Sequence, residues 1–217
     1  MSKTRIAVLI SGRGSNLSAI LAAAAAPDYP AAVVAVIANK ADASGLQLAR
    51  AAGIATEVVP SQGITDRDVY DRGLQAVIDR FQPDLIVLAG FMRILTAEFV
   101  QHYTGRMINI HPSLLPAFTG MHTHQRAIEA GVRLHGCTVH FVTPVLDHGP
   151  IIAQAAVPVL GHDDAGSLAK RVLVQEHRLY PMVVRWFAEG RLQLDGQRVL
   201  LNGESPVTDA LLMPSLG

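Results

Sequence analysis

Short apolar runs alternate along the chain with longer stretches whose apolar positions recur at helical spacing. Residues 5–11 (RIAVLIS), 31–39 (AAVVAVIAN), 54–60 (IATEVVP), 84–90 (DLIVLAG) and 106–111 (RMINIH) are brief, rich in branched side chains, and read as strands. Between them, 15–26 opens on Ser and Asn and continues in alanine and leucine, 41–53 ends on Gly53, and 65–81 follows a Thr/Asp start; all three read as helices. A short helix is predicted near 96–103. Continuous apolar strands alternating with helices predict a parallel sheet covered on both faces. After residue 112 the rhythm changes. A proline-bearing loop leads to a helix near 122–130, then to strands at 137–143 and 151–159 flanking PVLDHGP. A long helix near 163–188 and a hairpin-like stretch at 191–201 follow, and the last dozen residues read as loose. There is no internal repeat, linker or composition break. The expectation is one domain over 1–217, with a core at about 5–190 and a small C-terminal tail at 191–217.

Half of the residues are hydrophobic and 17% are charged, enough apolar material for a sizeable core. Lys plus Arg and Asp plus Glu are 18 each, with no basic run. Binding to nucleic acid through phosphates needs clustered cations, so no nucleic-acid partner is expected. The single cysteine, Cys137, has no partner for an internal disulfide, which fits a reducing cytoplasm. Lys3 and Arg5 before IAVLI suggest a signal peptide, but Arg13, Ser15 and Asn16 interrupt the apolar stretch too early. No run is long enough to span a membrane. Localisation is therefore expected to be cytoplasmic.

Three stretches carry candidate chemistry. The first βα turn, SGRGSN (11–16), places Gly12 and Gly14 before a helix start; with Ser15 and Asn16 it makes a plausible phosphate cradle. The third glycine of a dinucleotide fingerprint is replaced by Leu17, and no Gly-Lys-Ser/Thr follows. A tight turn with a helix cap remains the alternative. NIHPSLLP (109–116) ends a buried strand on Asn109 and His111, two apart and hence on one face. Two such donors aimed at one carbonyl would stabilise a tetrahedral oxyanion. Asp147, in LDHGP, could orient the imidazole and favour its cationic form; spacing does not decide whether it reaches His111. GFMRIL (90–95) is a candidate pocket wall at the same sheet edge. The nine histidines show no metal-ligand spacing, so no metal is expected.

SGRGSNL, GFMRIL, NIHPSLLP, GMHTH and LDHGP, in this order, closely resemble the folate-dependent glycinamide ribonucleotide formyltransferases of purine synthesis. The resemblance covers about residues 5–190. It implies a three-layer α/β/α, Rossmann-like domain with a mostly parallel seven-stranded sheet, and an enzyme that passes the formyl group of 10-formyltetrahydrofolate to the glycinamide amine. It further implies a catalytic trio of Asn109, His111 and Asp147. Gly14, Ser15, Asn16, Pro112, Leu173 and Glu176 would meet the ribonucleotide. Arg67, Met92, Arg93, Ile94 and Leu95 would line the folate site together with Asn109 and the loop Thr143, Pro144, Val145, Leu146 and Asp147. The partners implied are small-molecule substrates, with the chain a monomer or homodimer. The sequence departs from the family pattern at Arg13, in LLPAFTG (114–120), which lacks the lysine and proline often seen after the double leucine, at His148 where glycine is common, and at Leu173 where a polar residue is expected. Rivals are a formyltransferase acting on initiator tRNA, a formyl-folate hydrolase, and a non-catalytic nucleotide-binding module.

Overall fold

The computed structural model describes residues 2–203. The last dozen residues, expected to be loose, lie outside this range. The elements run β1 (Thr4–Ile10), α1 (Ser15–Ala24), β2 (Ala31–Ala38), α2 (Gly45–Ala51), β3 (Ala55–Val58), α3 (Arg67–Arg80), β4 (Leu85–Leu88), α4 (Ala97–His102), β5 (Met107–His111), α5 (Thr123–Glu129), β6 (Leu134–Phe141), β7 (Ile151–Pro158), α6 (Ala165–Ala188), β8 (Leu192–Asp195) and β9 (Arg198–Leu201). All strands join one sheet in the order β3-β2-β1-β4-β5-β6-β7-β9-β8. The first five are parallel, as continuous apolar strands require. The β5–β6 and β6–β7 pairs are antiparallel.

The sheet has nine strands, not seven. The hairpin at 192–201 adds the other two: β9 pairs in parallel with β7 at Ile151 and Arg198, extending the sheet where β7 would otherwise present unpaired backbone groups. The remaining elements fall within a few residues of the sequence reading. The largest differences are α2, expected over 41–53 and formed only over Gly45–Ala51, and β6, which begins at Leu134 because its first half continues the ladder against β7.

Two apolar layers follow from strand alternation. Ile6, Val8 and Ile10 of β1 face one side with Leu17 of α1, Leu46 of α2 and Val172 and Val183 of α6; Leu9 faces the other with Tyr70 and Leu74 of α3 and Phe99 of α4. Helix starts are set locally. Asp66 accepts from the Asp68 and Val69 amides at the head of α3, and Asp164 forms a reciprocal cap with Ser167 at the head of α6.

The order reverses beside β1, which lies between β2 and β4. A crevice at the carboxyl ends of the strands follows from that reversal. Tyr180 of α6 locks this region. It is fully buried, and its hydroxyl lies 2.9 Å from the carbonyl of Leu88, the last residue of β4, and 3.2 Å from that of Ile108, within β5. Tyr180→Phe removes a bridge between the two site-bearing strands and is expected to cost about 1–2 kcal/mol. Urea unfolding of the two proteins measures the difference; an unchanged midpoint would contradict the bridging role.

Candidate active site

At the first turn the chain enters α1 through Gly14, which adopts φ 74°, a left-handed conformation that glycine takes freely. A Cβ on Gly14 would stand 2.9 Å from the Gly45 Cα, so α2 and the turn are in backbone contact. The Gly45 amide donates to the Gly12 carbonyl at 3.0 Å. No side chain caps α1 and its first turn holds no acidic residue, so nothing on the helix itself competes for the amides at its start. Ser15 is exposed and Asn16 buried. The Asn16 amide donates to Glu176 Oε2 at 2.7 Å, joining the turn to α6. Burial raises the Glu176 carboxyl above the ordinary glutamate range, with the Asn16 hydrogen bond opposing it. Leu173 lies one turn earlier on α6, half-buried like Pro112.

The second centre is the end of β5. Asp147 reaches His111: the carboxylate Oδ2 is 3.6 Å from Nδ1, with both side chains buried. The same Oδ2 accepts the Gly120 amide at 2.9 Å. His111 Nε2 lies 3.0 Å from the Phe118 carbonyl, an acceptor only, so that nitrogen carries a proton. An imidazolium satisfies both neighbours. The donor that the sequence assigns to an oxyanion is thus engaged by the 112–122 loop. Asp147 itself has φ 56°, a sparsely populated conformation for a non-glycine residue. His148 takes no left-handed backbone, so its side chain meets no such obstacle. Gly149 has no alternative, since a Cβ there would lie 1.7 Å from the Phe141 carbonyl.

Asn109 and Asp147 line an open cleft with Leu88, Phe91, Arg93, Ile94, Leu95, Thr143, Pro144 and Leu146. Met92 and Val145 are exposed at its mouth instead of lining it. Arg67 also stays outside the lining and donates to the Leu95 carbonyl at 3.0 Å. Arg93 stacks 4.0 Å over the Tyr70 ring, and its buried Nε and Nη2 have no partner among the described residues. Mostly apolar walls with a few polar groups are the usual make-up of a small-molecule site.

Sequence reasoning missed four contributors. His140 lies opposite Asn109 in the β5–β6 ladder. Its Nδ1 donates to its neighbour's carbonyl, Phe141 O, at 2.9 Å, leaving Nε2 to accept the Asn109 amide at 3.3 Å. Burial lowers the His140 pKa, so the ring stays neutral and fixes which way the Asn109 amide faces. Only the antiparallel register, invisible in the sequence, reveals this pairing. Ser11 accepts the Met92 amide at 2.7 Å, and Gly45 buttresses the 11–16 turn. His135 meets His124 at 3.2 Å, fastening α5 and the loop before it to β6. No group of three or more His, Cys, Asp or Glu among the described residues has metal-binding geometry.

Burial lowers the His124 pKa and drives that of His135 down to about 4. Both rings are neutral when folded, whereas the unfolded chain protonates them near pH 6.5. Their contribution is complete above that pH and is lost as pH falls from there toward about 4. Urea midpoints are expected to decline across this window, and less steeply in His135→Gln; parallel declines would contradict the assignment.

Comparison with known proteins bears on this arrangement. Residues 4–184 match the family model described as formyl transferase. The chain is 52% identical over 199 residues to a phosphoribosylglycinamide formyltransferase of Escherichia coli (strain K12), spanning 92% of this chain and 94% of that one. Among solved structures, glycinamide ribonucleotide transformylase 1 from Symbiobacterium toebii superposes with a TM-score of 0.89 at 46% identity, covering 92% of this chain and 94% of that one. A phosphoribosylglycinamide formyltransferase from Coxiella burnetii gives 0.88 at 48%, covering 94% and 95%.

Proposed function

The chain belongs to the formyl transferase family, and we propose that Asn109, His111 and Asp147 carry its reaction. That reaction is transfer of the formyl group of 10-formyltetrahydrofolate to the amine of phosphoribosylglycinamide, a step of purine synthesis. The single observation that carries the site assignment is the buried cluster at the end of β5, where Asp147 meets His111 and both Asn109 and Asp147 face the cleft.

The parts divide the work. The start of α1 receives the ribonucleotide phosphate, with Gly14, Ser15 and Asn16 supplying backbone donors and the helix field. Glu176, held by Asn16, meets polar groups of the same substrate. Pro112 and Leu173 bound that side. The cleft takes the folate: Phe91, Ile94 and Leu95 give apolar contact, Arg93 offers its two free donors, and Arg67 steadies the wall. The 143–147 loop closes the far side.

As the amine attacks, negative charge develops on the formyl oxygen. Asn109 donates to it from the amide that His140 orients, and His111 donates from Nε2 once the Phe118 carbonyl withdraws. Asp147 supplies the charge opposite the imidazolium and, through water, passes the amine proton toward the departing folate nitrogen. A donor preset at the place where charge appears, as Asn109 is, needs no reorganisation during the step, which is where its advantage lies.

No described helix is long and apolar enough to cross a membrane, and the substrates are small molecules. With balanced charge and one thiol, a cytoplasmic enzyme acting as a monomer or homodimer is the reading we favour; 1–217 is taken as one formyltransferase domain.

Asn109→Ala and His111→Ala are each expected to lower kcat by two to three orders of magnitude, on the order of 3–4 kcal/mol, with small changes in either KM. Release of deformylated folate, followed by absorbance with and without the ribonucleotide, measures this. Near-normal turnover in either variant would remove that residue from the reaction. Folate release by the unaltered protein without ribonucleotide would indicate a hydrolase instead.

A further inference from the structure

The folate wall is a loop, residues 91–96, between β4 and α4. Loops of this kind do not hold a shape on their own, yet four of this loop's residues have to present atoms to the ligand. Each end is tied by a backbone amide to a side chain from elsewhere. At the near end the Met92 amide donates to Ser11 Oγ at 2.7 Å, and the Ser11 amide donates to the Gly90 carbonyl at 3.1 Å. At the far end the Thr96 amide donates to Asp71 Oδ2 at 2.6 Å.

Asp71 is unusual for its place. It sits on α3, a helix with many exposed charges, but is only 2% exposed itself. A carboxylate is seldom removed from water without a specific task. Its neighbours on the same helix face complete a clamp: Arg67, one turn earlier, holds the Leu95 carbonyl, and Tyr70 carries the Arg93 guanidinium on its ring. The Asp71 contact is the charge-assisted member of the set, and such bonds are shorter and stronger than neutral ones.

We propose that Asp71 is a positioning residue for the folate site: it fixes the Thr96 end of the 91–96 loop from α3, so that Arg93, Ile94 and Leu95 face the cleft before folate arrives. The inference rests on the folate assignment of this cleft. It assigns Asp71 no contact with substrate; the residue acts through the loop.

Asp71→Ala leaves the Thr96 amide without its acceptor. The KM for the folate cosubstrate is expected to rise about tenfold, while kcat and the ribonucleotide KM stay within about twofold, as expected for loss of one charge-assisted bond that serves binding only. Asp71→Asn keeps an acceptor oxygen and should restore most of the folate affinity. Should Asp71→Ala fail to fold, Thr96→Pro deletes the donor instead, and the Thr96 φ of −74° accommodates proline; it should raise the same KM. Binding of 10-formyl-5,8-dideazafolate, followed by fluorescence, separates the two levels of the argument. If the unaltered protein does not bind it, the folate reading itself falls. If the unaltered protein binds it and a folded Asp71→Ala or Thr96→Pro binds equally well, the positioning role is overturned. A uniform rise of both KM values with lowered thermal stability, unrelieved in Asp71→Asn, assigns Asp71 to general stability and overturns it too.

Discussion

One buried carboxylate organises the catalytic end of this molecule. Asp147 Oδ2 faces His111 Nδ1 and also accepts the Gly120 amide, so a strand end, the 112–122 loop and the 143–148 loop meet at a single oxygen. Removing a carboxylate from water is costly unless it is paired and hydrogen-bonded. Here both conditions are met, and the left-handed backbone of Asp147 is the local strain that accompanies this placement. The arrangement also explains why Gly149 follows so closely: the chain must pass against the Phe141 carbonyl to bring Asp147 into position.

The sheet makes this meeting possible. Reversal of strand order beside β1 opens a crevice at the carboxyl ends, and the 11–16 turn, the 91–96 loop and the NIH strand end all border it. Ser11 belongs to the first of these and holds the second, so the two loops share a hydrogen bond. The switch to antiparallel pairing after β5 matters as much, because it sets His140 opposite Asn109 and thereby orients the amide. The chemistry is therefore built from backbone topology, with few polar side chains added.

Much of this was legible in the sequence because its signals are local. Alternation of apolar runs with helical spacing marks the parallel sheet, and Gly14 and the polar pair Asn109 and His111 stand at strand ends where ligands bind. The family motifs extended that reading to Asp147 and the folate loop. What escaped depends on long-range pairing. His140 is one more histidine until the β5–β6 register is known, Gly45 is one more glycine until α2 packs on the turn, and Asp71 is one more charge on a charged helix until Thr96 meets it. The nine-stranded sheet was hidden for the same reason, since a single residue pair attaches the last hairpin. Withdrawal of His111 Nε2 to the Phe118 carbonyl is likewise a property of the folded loop.

The most direct test of the account is a double-mutant cycle in kcat between His111→Ala and Asp147→Ala, with ribonucleotide and folate saturating. Because Asp147 acts in part through His111, the two losses are expected to be clearly less than additive, the double variant falling below His111→Ala only by Asp147's own share in proton transfer. Fully additive losses would contradict the account and make Asp147 an independent contributor.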